Sequence, residues 1–220
     1  MLRKLLNKIK AIRFAKSEKH KVYLNGSLLN AFYKTKSIFI HIPKTAGTSL
    51  VQSIYGDVSA EGHRNIEFYK NIFSNELPNF FKFCFVRNPY DRLYSSYKFL
   101  QKGGMNKNDA KSFDTHLKQY ADFEDFVLNG LTKALLKEII HFIPQTHFIC
   151  NGKGLVLVDF IGKFENLKQD IGKLEKKLDL EIILPHLNSN KKENYLGIYT
   201  DEMLEKVKEF YENDFKILGY

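Results

Sequence analysis

The chain has no tryptophan, only two cysteines and five prolines, and none of its apolar runs approaches the ~20 residues that span a bilayer. Cys84 and Cys150 lie far apart in sequence and fit neither a disulfide framework nor a cysteine-rich zinc site. Cys84, inside Phe81-Lys82-Phe83-Cys84-Phe85-Val86, reads as a small buried thiol. The first ten residues are basic but carry neither a continuous apolar core nor a small-residue cleavage site, so no secretory signal is expected there. A reducing, cytoplasmic setting is the expectation. Internal repeats and low-complexity linkers are also missing.

What the chain does have is positive charge, +9 from 34 bases and 25 acids. Its distribution is uneven. Residues 1–21 hold eight Lys or Arg against a single acid, Glu18, and the rest of the chain keeps 26 bases against 24 acids. A body this close to neutral does not suggest a nucleic-acid partner. Leu2, Leu5, Leu6, Ile9 and Ile12 recur at helical spacing among those bases. Residues 1–30 are therefore expected to form a basic amphipathic helical segment, either packed on its own domain or in peripheral contact with an anionic membrane through residues 1–16.

Residues 31–220 suit one compact α/β domain. Ser37 to Ile42 reads as a buried strand, and Thr48 or Ser49 as the cap of a helix through Leu50, Ile54 and Tyr55. Gly56 to Asn79 is a polar stretch. A second strand is expected over Phe81 to Arg87, followed by a helix that Pro89 opens. Leu155 to Phe160 reads as a third strand, and Ile182 to Leu184 as a further short one. Leu167, Ile171, Leu174 and Leu178 mark an amphipathic helix, and Thr200 caps the last one. Strands separated by helices argue for a mainly parallel central sheet.

Between the first strand and its helix runs Ile42-Pro43-Lys44-Thr45-Ala46-Gly47-Thr48-Ser49. A strand that stops at such a turn and enters a helix suits an anion, because first-turn N–H groups lack intrahelical partners and the helix dipole favours negative charge. Lys44 adds a full charge, and Thr45, Thr48 and Ser49 add hydroxyl donors. The loop is not of Walker A type, which places its Lys just before the final Ser or Thr.

About forty residues on stands Phe85-Val86-Arg87-Asn88-Pro89-Tyr90-Asp91-Arg92-Leu93-Tyr94-Ser95-Ser96-Tyr97. Together the two segments resemble sulfotransferases that use 3′-phosphoadenosine-5′-phosphosulfate (PAPS), in particular the carbohydrate group sharing the His-Ile-Pro-Lys-Thr-x-Gly-Thr loop. The resemblance extends through Gly62-His63, Pro144-Gln145, Asp159 to Glu165, Pro185 to Ser189 and Gly219-Tyr220. It implies a P-loop-like three-layer fold with helices flanking the sheet. It also implies that Lys44, Thr45, Ala46, Gly47, Thr48 and Ser49 cradle the 5′-phosphosulfate, and that Arg87 and Ser95 bind the 3′-phosphate. A late basic loop suggests Lys191, or Lys192, as a further ligand of that phosphate.

By the same resemblance the reaction moves a sulfuryl group from PAPS to a hydroxyl of a glycan, polysaccharide or glycolipid and releases 3′-phosphoadenosine 5′-phosphate, with no metal required. Lys44 is expected to stabilise charge on the bridging oxygen. His63 is the expected base, its ordinary pKa of ~6.5 suiting proton abstraction near neutrality. Glu61 and Glu67 are the substitute carboxylates, and His41 is expected to pack or orient. Acceptor choice falls to the loops Gly56 to Asn79 and Gly103 to Leu117. Two other functions compete. A P-loop-like kinase would need an acidic Mg²⁺ ligand, for which Asp159 is the candidate. A membrane-surface nucleotide-binding protein would keep the fold without turnover.

Overall fold

The structure, a computed structural model, describes residues 2–58, 62–184 and 195–220, with side chains from residue 5 onward. The chain opens with α1 (Leu2–Glu18), α2 (Leu28–Thr35), β1 (Ser37–Ile40), α3 (Gly47–Tyr55), α4 (Ile66–Phe73) and β2 (Phe81–Val86). Then follow α5 (Pro89–Gln101), α6 (Lys107–His116), α7 (Phe123–Asp125), which runs into a π turn over Phe126–Gly130, α8 (Leu135–Glu138) and α9 (Thr146–Ile149). The chain closes with β3 (Phe160–Lys163), α10 (Leu167–Leu178), α11 (Asp201–Phe210) and α12 (Glu212–Leu218). The parallel sheet between helices that the sequence predicts is present.

Two compact units divide the chain: residues 1–42, 46–85 and 147–186 form one, and residues 43–45, 86–146 and 187–220 the other.

The first unit carries the sheet, in strand order β1-β2-β3. β1 and β2 run parallel, with Ser37 opposite Phe81, Phe39 opposite Phe83 and Ile40 opposite Cys84. All four residues of β1 are buried, as expected of a parallel strand covered on both faces. Phe32, Phe39, Tyr69 and Phe83 fill the core, with Phe39 and Phe83 centroids 5.3 Å apart. Cys84 is wholly buried, as its neighbours predict, and burial pushes its thiol well above the ordinary range.

The expected third strand is displaced. Leu155 to Leu157 folds back on the preceding segment, with Cys150 and Val156 in an antiparallel bridge and Leu157 N donating to Ile149 O. Asn151 Oδ1 accepts from the N–H groups of Lys153 and Leu155 and closes that turn. The local hairpin takes the apolar run, and the sheet is joined three residues later by Phe160–Lys163. Ile182 to Leu184 is not a strand: side chains hold it, Glu175 accepting from Ile182 N and Ser53 donating to Ile183 O.

Helices also occupy stretches that read as merely polar. Asn65 caps α4, accepting from Phe68 N at 3.1 Å, and Ile66, Tyr69, Ile72 and Phe73 form its buried face. Asn106 caps α6 in the same way.

The second unit is helical. Its core gathers Leu93, Tyr97 and Leu100 of α5, Phe126 and Phe142, and Met203 and Val207 of α11. Pro89 opens α5 and Thr200 caps α11, both as the sequence predicts.

Candidate active site

In the first unit, α3 begins at Gly47 rather than behind a Thr48 or Ser49 cap. Ala46 is the N-cap, in the left-handed region at φ 63°, and contributes no side-chain cap. Thr48 and Ser49 therefore lie inside the first turn, Thr48 exposed and Ser49 half-buried. Gly47 is required by space: a Cβ there would overlap the imidazole of His41. His41 is in turn stacked on Phe39, centroid to centroid 5.8 Å. His41, expected to pack or orient, is a ring wedged between the strand and the start of the helix.

His63 sits against the same residue. The His41 and His63 rings are 4.3 Å apart, edge to face, and His63 Nδ1 lies 2.9 Å from the His41 carbonyl oxygen. A carbonyl only accepts, so Nδ1 carries the proton and the neutral ring keeps its lone pair on Nε2. Of the substitute bases, Glu67 pairs with Lys70 at 3.9 Å on α4. Glu61, Lys191 and Lys192 lie outside the described residues. Asp159, the candidate Mg²⁺ ligand, accepts from both the backbone N and the ammonium of Lys82 at 2.7 Å.

In the second unit, Lys44 and Arg87 come together although 43 residues separate them, as Arg87 Nη1 donates to the Lys44 carbonyl at 3.2 Å. Asp91 fixes the guanidinium plane by accepting from Nε at 2.7 Å and Nη2 at 2.8 Å. Ser95 stands one turn beyond Asp91 and so on the same face of α5. The Lys44 backbone is left-handed, φ 69°, and Thr45 beside it is fully buried. The Lys44 ammonium rests 3.9 Å from the centre of the Phe99 ring. Burial, and next the Arg87 charge, lower the pKa of Lys44 to about 8, with Asp109 pulling the other way.

Further residues support the site from behind. Gln145 brackets the backbone of Arg87, its Oε1 accepting from Arg87 N at 2.8 Å and its Nε2 donating to Arg87 O at 2.7 Å. The fully buried Asp214 fixes Gln145 in turn, accepting from Gln145 N, Thr146 N and Thr146 Oγ1 at 2.7–2.9 Å. Arg92, 1% exposed, donates to the carbonyls of His141 and Ile143. His141 is 3.1 Å from Asp109, and burial keeps its pKa below the ordinary range despite that carboxylate. Pro144-Gln145 was a signal for one of these residues; Asp214, in an ordinary acidic helix start, offered none.

Among the described residues, no three His, Cys, Asp or Glu side chains cluster as metal ligands. No helix of the described residues is long and apolar enough to cross a membrane.

No solved structure matches the chain. An uncharacterized protein of Archaeoglobus fulgidus is 32% identical over 117 residues, which cover 53% of this chain and 82% of the relative. The profile of the sulfotransferase family matches residues 31–220, and the chain belongs to that family, whose chemistry is sulfuryl transfer.

Proposed function

We propose that the chain transfers a sulfuryl group from PAPS to a hydroxyl of a carbohydrate or glycolipid acceptor, with residues 31–220 acting as one catalytic domain. The observation that carries this reading is the bond between Arg87 and the Lys44 carbonyl, because within one unit it brings the Arg-Asn-Pro segment against residues 43–45, the start of the loop. A guanidinium held flat by a carboxylate is prepared for bidentate grip of a phosphate. An ammonium that burial has partly stripped of water gains more from a bound anion than an exposed one would. The uncapped first turn of α3 adds backbone N–H donors and the positive end of a helix.

In this reading His63 Nε2 takes the proton of the acceptor hydroxyl as its oxygen bonds to sulfur. The bond from sulfur to the bridging oxygen breaks, and the electron pair stays on the 5′-phosphate. Lys44 and the N–H groups of Ala46, Gly47, Thr48 and Ser49 meet the charge that grows there, and Arg87 and Ser95 hold the 3′-phosphate. The tautomer that His41 imposes on His63 supports this assignment.

The test is thermal protection by 3′-phosphoadenosine 5′-phosphate without Mg²⁺, followed by transfer of labelled sulfate to a panel of glycans and lipid-linked saccharides. Protection is expected in the parent and lost in Arg87→Ala, while His63→Ala keeps protection and loses transfer. Equal protection by Mg-ATP, with no response to the 3′-phosphate, would overturn the reading.

A further inference from the structure

The first unit carries a surface that sulfuryl transfer does not use. α1 packs on α4 along a narrow seam: Ala15 is wholly buried, and Phe14 meets Phe68 with centroids 6.0 Å apart. Arg64 lies across both rings, 4.8 Å from the centre of Phe14. Leu6 precedes Ala15 by about two and a half turns and so faces the opposite way. Leu5 is 55% exposed, Leu6 48% and Ile9 38%. Three aliphatic side chains within five residues thus point to solvent at the start of the helix.

Bases surround them. Lys10 stands one turn from Leu6 and Arg13 one turn from Ile9, and both are exposed, as are Lys8 and Lys16. The only acid of residues 1–21, Glu18, is taken by Lys21 at 2.6 Å. Long basic side chains beside exposed leucines can lay their stems along apolar surface and reach outward with their charges. Such a face fits a layer that is apolar below and anionic above. Paired with a second copy it would set bases against bases.

We propose that α1 docks on an anionic lipid surface through Leu5, Leu6 and Ile9, with Lys8, Lys10, Arg13 and Lys16 engaging the headgroups. Helices with an apolar strip of this kind and a strongly basic surround lie in the interface plane. A cluster of four or more bases on one helix is the usual electrostatic recognition of acidic phospholipid. The seam also ties the docked helix to Arg64, the neighbour of His63. Docking therefore holds the His63 end of α4 beside a lipid-bound element and favours an acceptor displayed on a membrane. That consequence rests on the reading of His63 as base; the docking itself does not.

The experiment is co-sedimentation of the full chain with phosphatidylcholine vesicles, with and without phosphatidylglycerol, at low and high salt. Binding is expected only with the anionic lipid and is lost at high salt. Lys10→Ala/Arg13→Ala is expected to weaken it about thirtyfold, and Leu6→Glu/Ile9→Glu to abolish it. Protection by 3′-phosphoadenosine 5′-phosphate, expected unchanged in every variant, verifies the fold and separates a failure of docking from a failure of the nucleotide reading. Equal binding to neutral vesicles, no binding, or binding indifferent to these substitutions would overturn the proposal. So would a concentration-dependent dimer that Leu6→Glu dissociates, since the face would then belong to a second copy.

Discussion

The two units prepare their residues by different physics. In the sheet unit, position is set by contact: Gly47 leaves just the space that the His41 ring fills, and His63 meets that ring edge to face and bonds the His41 carbonyl. In the helical unit, position is set by charge and hydrogen bonding, through Asp91 on the guanidinium of Arg87, Gln145 on its backbone, and Asp214 behind Gln145. Packing tolerates little change of volume. A buried polar network is sensitive to any member left unsatisfied. The difference teaches where each unit should fail, and with what signature.

The largest effect is expected at Asp214. Asp214→Ala leaves three buried donors of Gln145 and Thr146 without their acceptor, which should cost about 3 kcal/mol or more. Urea unfolding measures the loss. A change under 1 kcal/mol on this order-of-magnitude scale would show that the network is not what holds Gln145. Its counterpart in the sheet unit is Gly47→Ala, expected to cost about 1–3 kcal/mol by overpacking against His41. Combining it with His41→Ala should restore most of that loss. Failure of the rescue would mean that backbone conformation, not space, requires the glycine.

A smaller effect is the pH dependence of nucleotide binding. The anion favours charged Lys44, which loses its proton at about 8 in the free protein. Affinity for 3′-phosphoadenosine 5′-phosphate should hold below that pH. Above it, affinity falls by up to about tenfold per unit until the raised pKa of the complex is passed. Titration calorimetry across this range reads it, and in Lys44→Arg the decline should vanish. A decline that persists in that variant would assign the titration to another group. The smallest effect is at Ala46, whose φ of 63° a glycine adopts without strain. Ala46→Gly should stabilise the chain by about 1 kcal/mol in urea unfolding. Destabilisation would show that the methyl group packs usefully.

The strand, turn and helix around Lys44 were legible because they are local. An apolar β-branched run, a Pro-Lys-Thr turn and a glycine each constrain their neighbours directly. The opening of α5 at Pro89 and the capping of α11 by Thr200 were legible for the same reason. The third strand was misplaced because the apolar residues of Leu155 to Leu157 satisfy a nearby hairpin as readily as a sheet, and only the folded partner decides. α4 was missed though its signal was present, Asn65 as cap and a buried face at helical spacing, because the charged residues between made the stretch read as polar.

By itself the sequence determined the parallel α/β plan, the family and the strand, turn and helix around Lys44, since each is written in residue patterns that run along the chain. Only the tertiary structure decided that Arg87 bonds the carbonyl of Lys44, that His41 sets the tautomer of His63, and that Asp214 stands behind Gln145. Those contacts join residues 22 to 69 positions apart. No local preference encodes them, because a buried donor takes whichever acceptor the fold delivers.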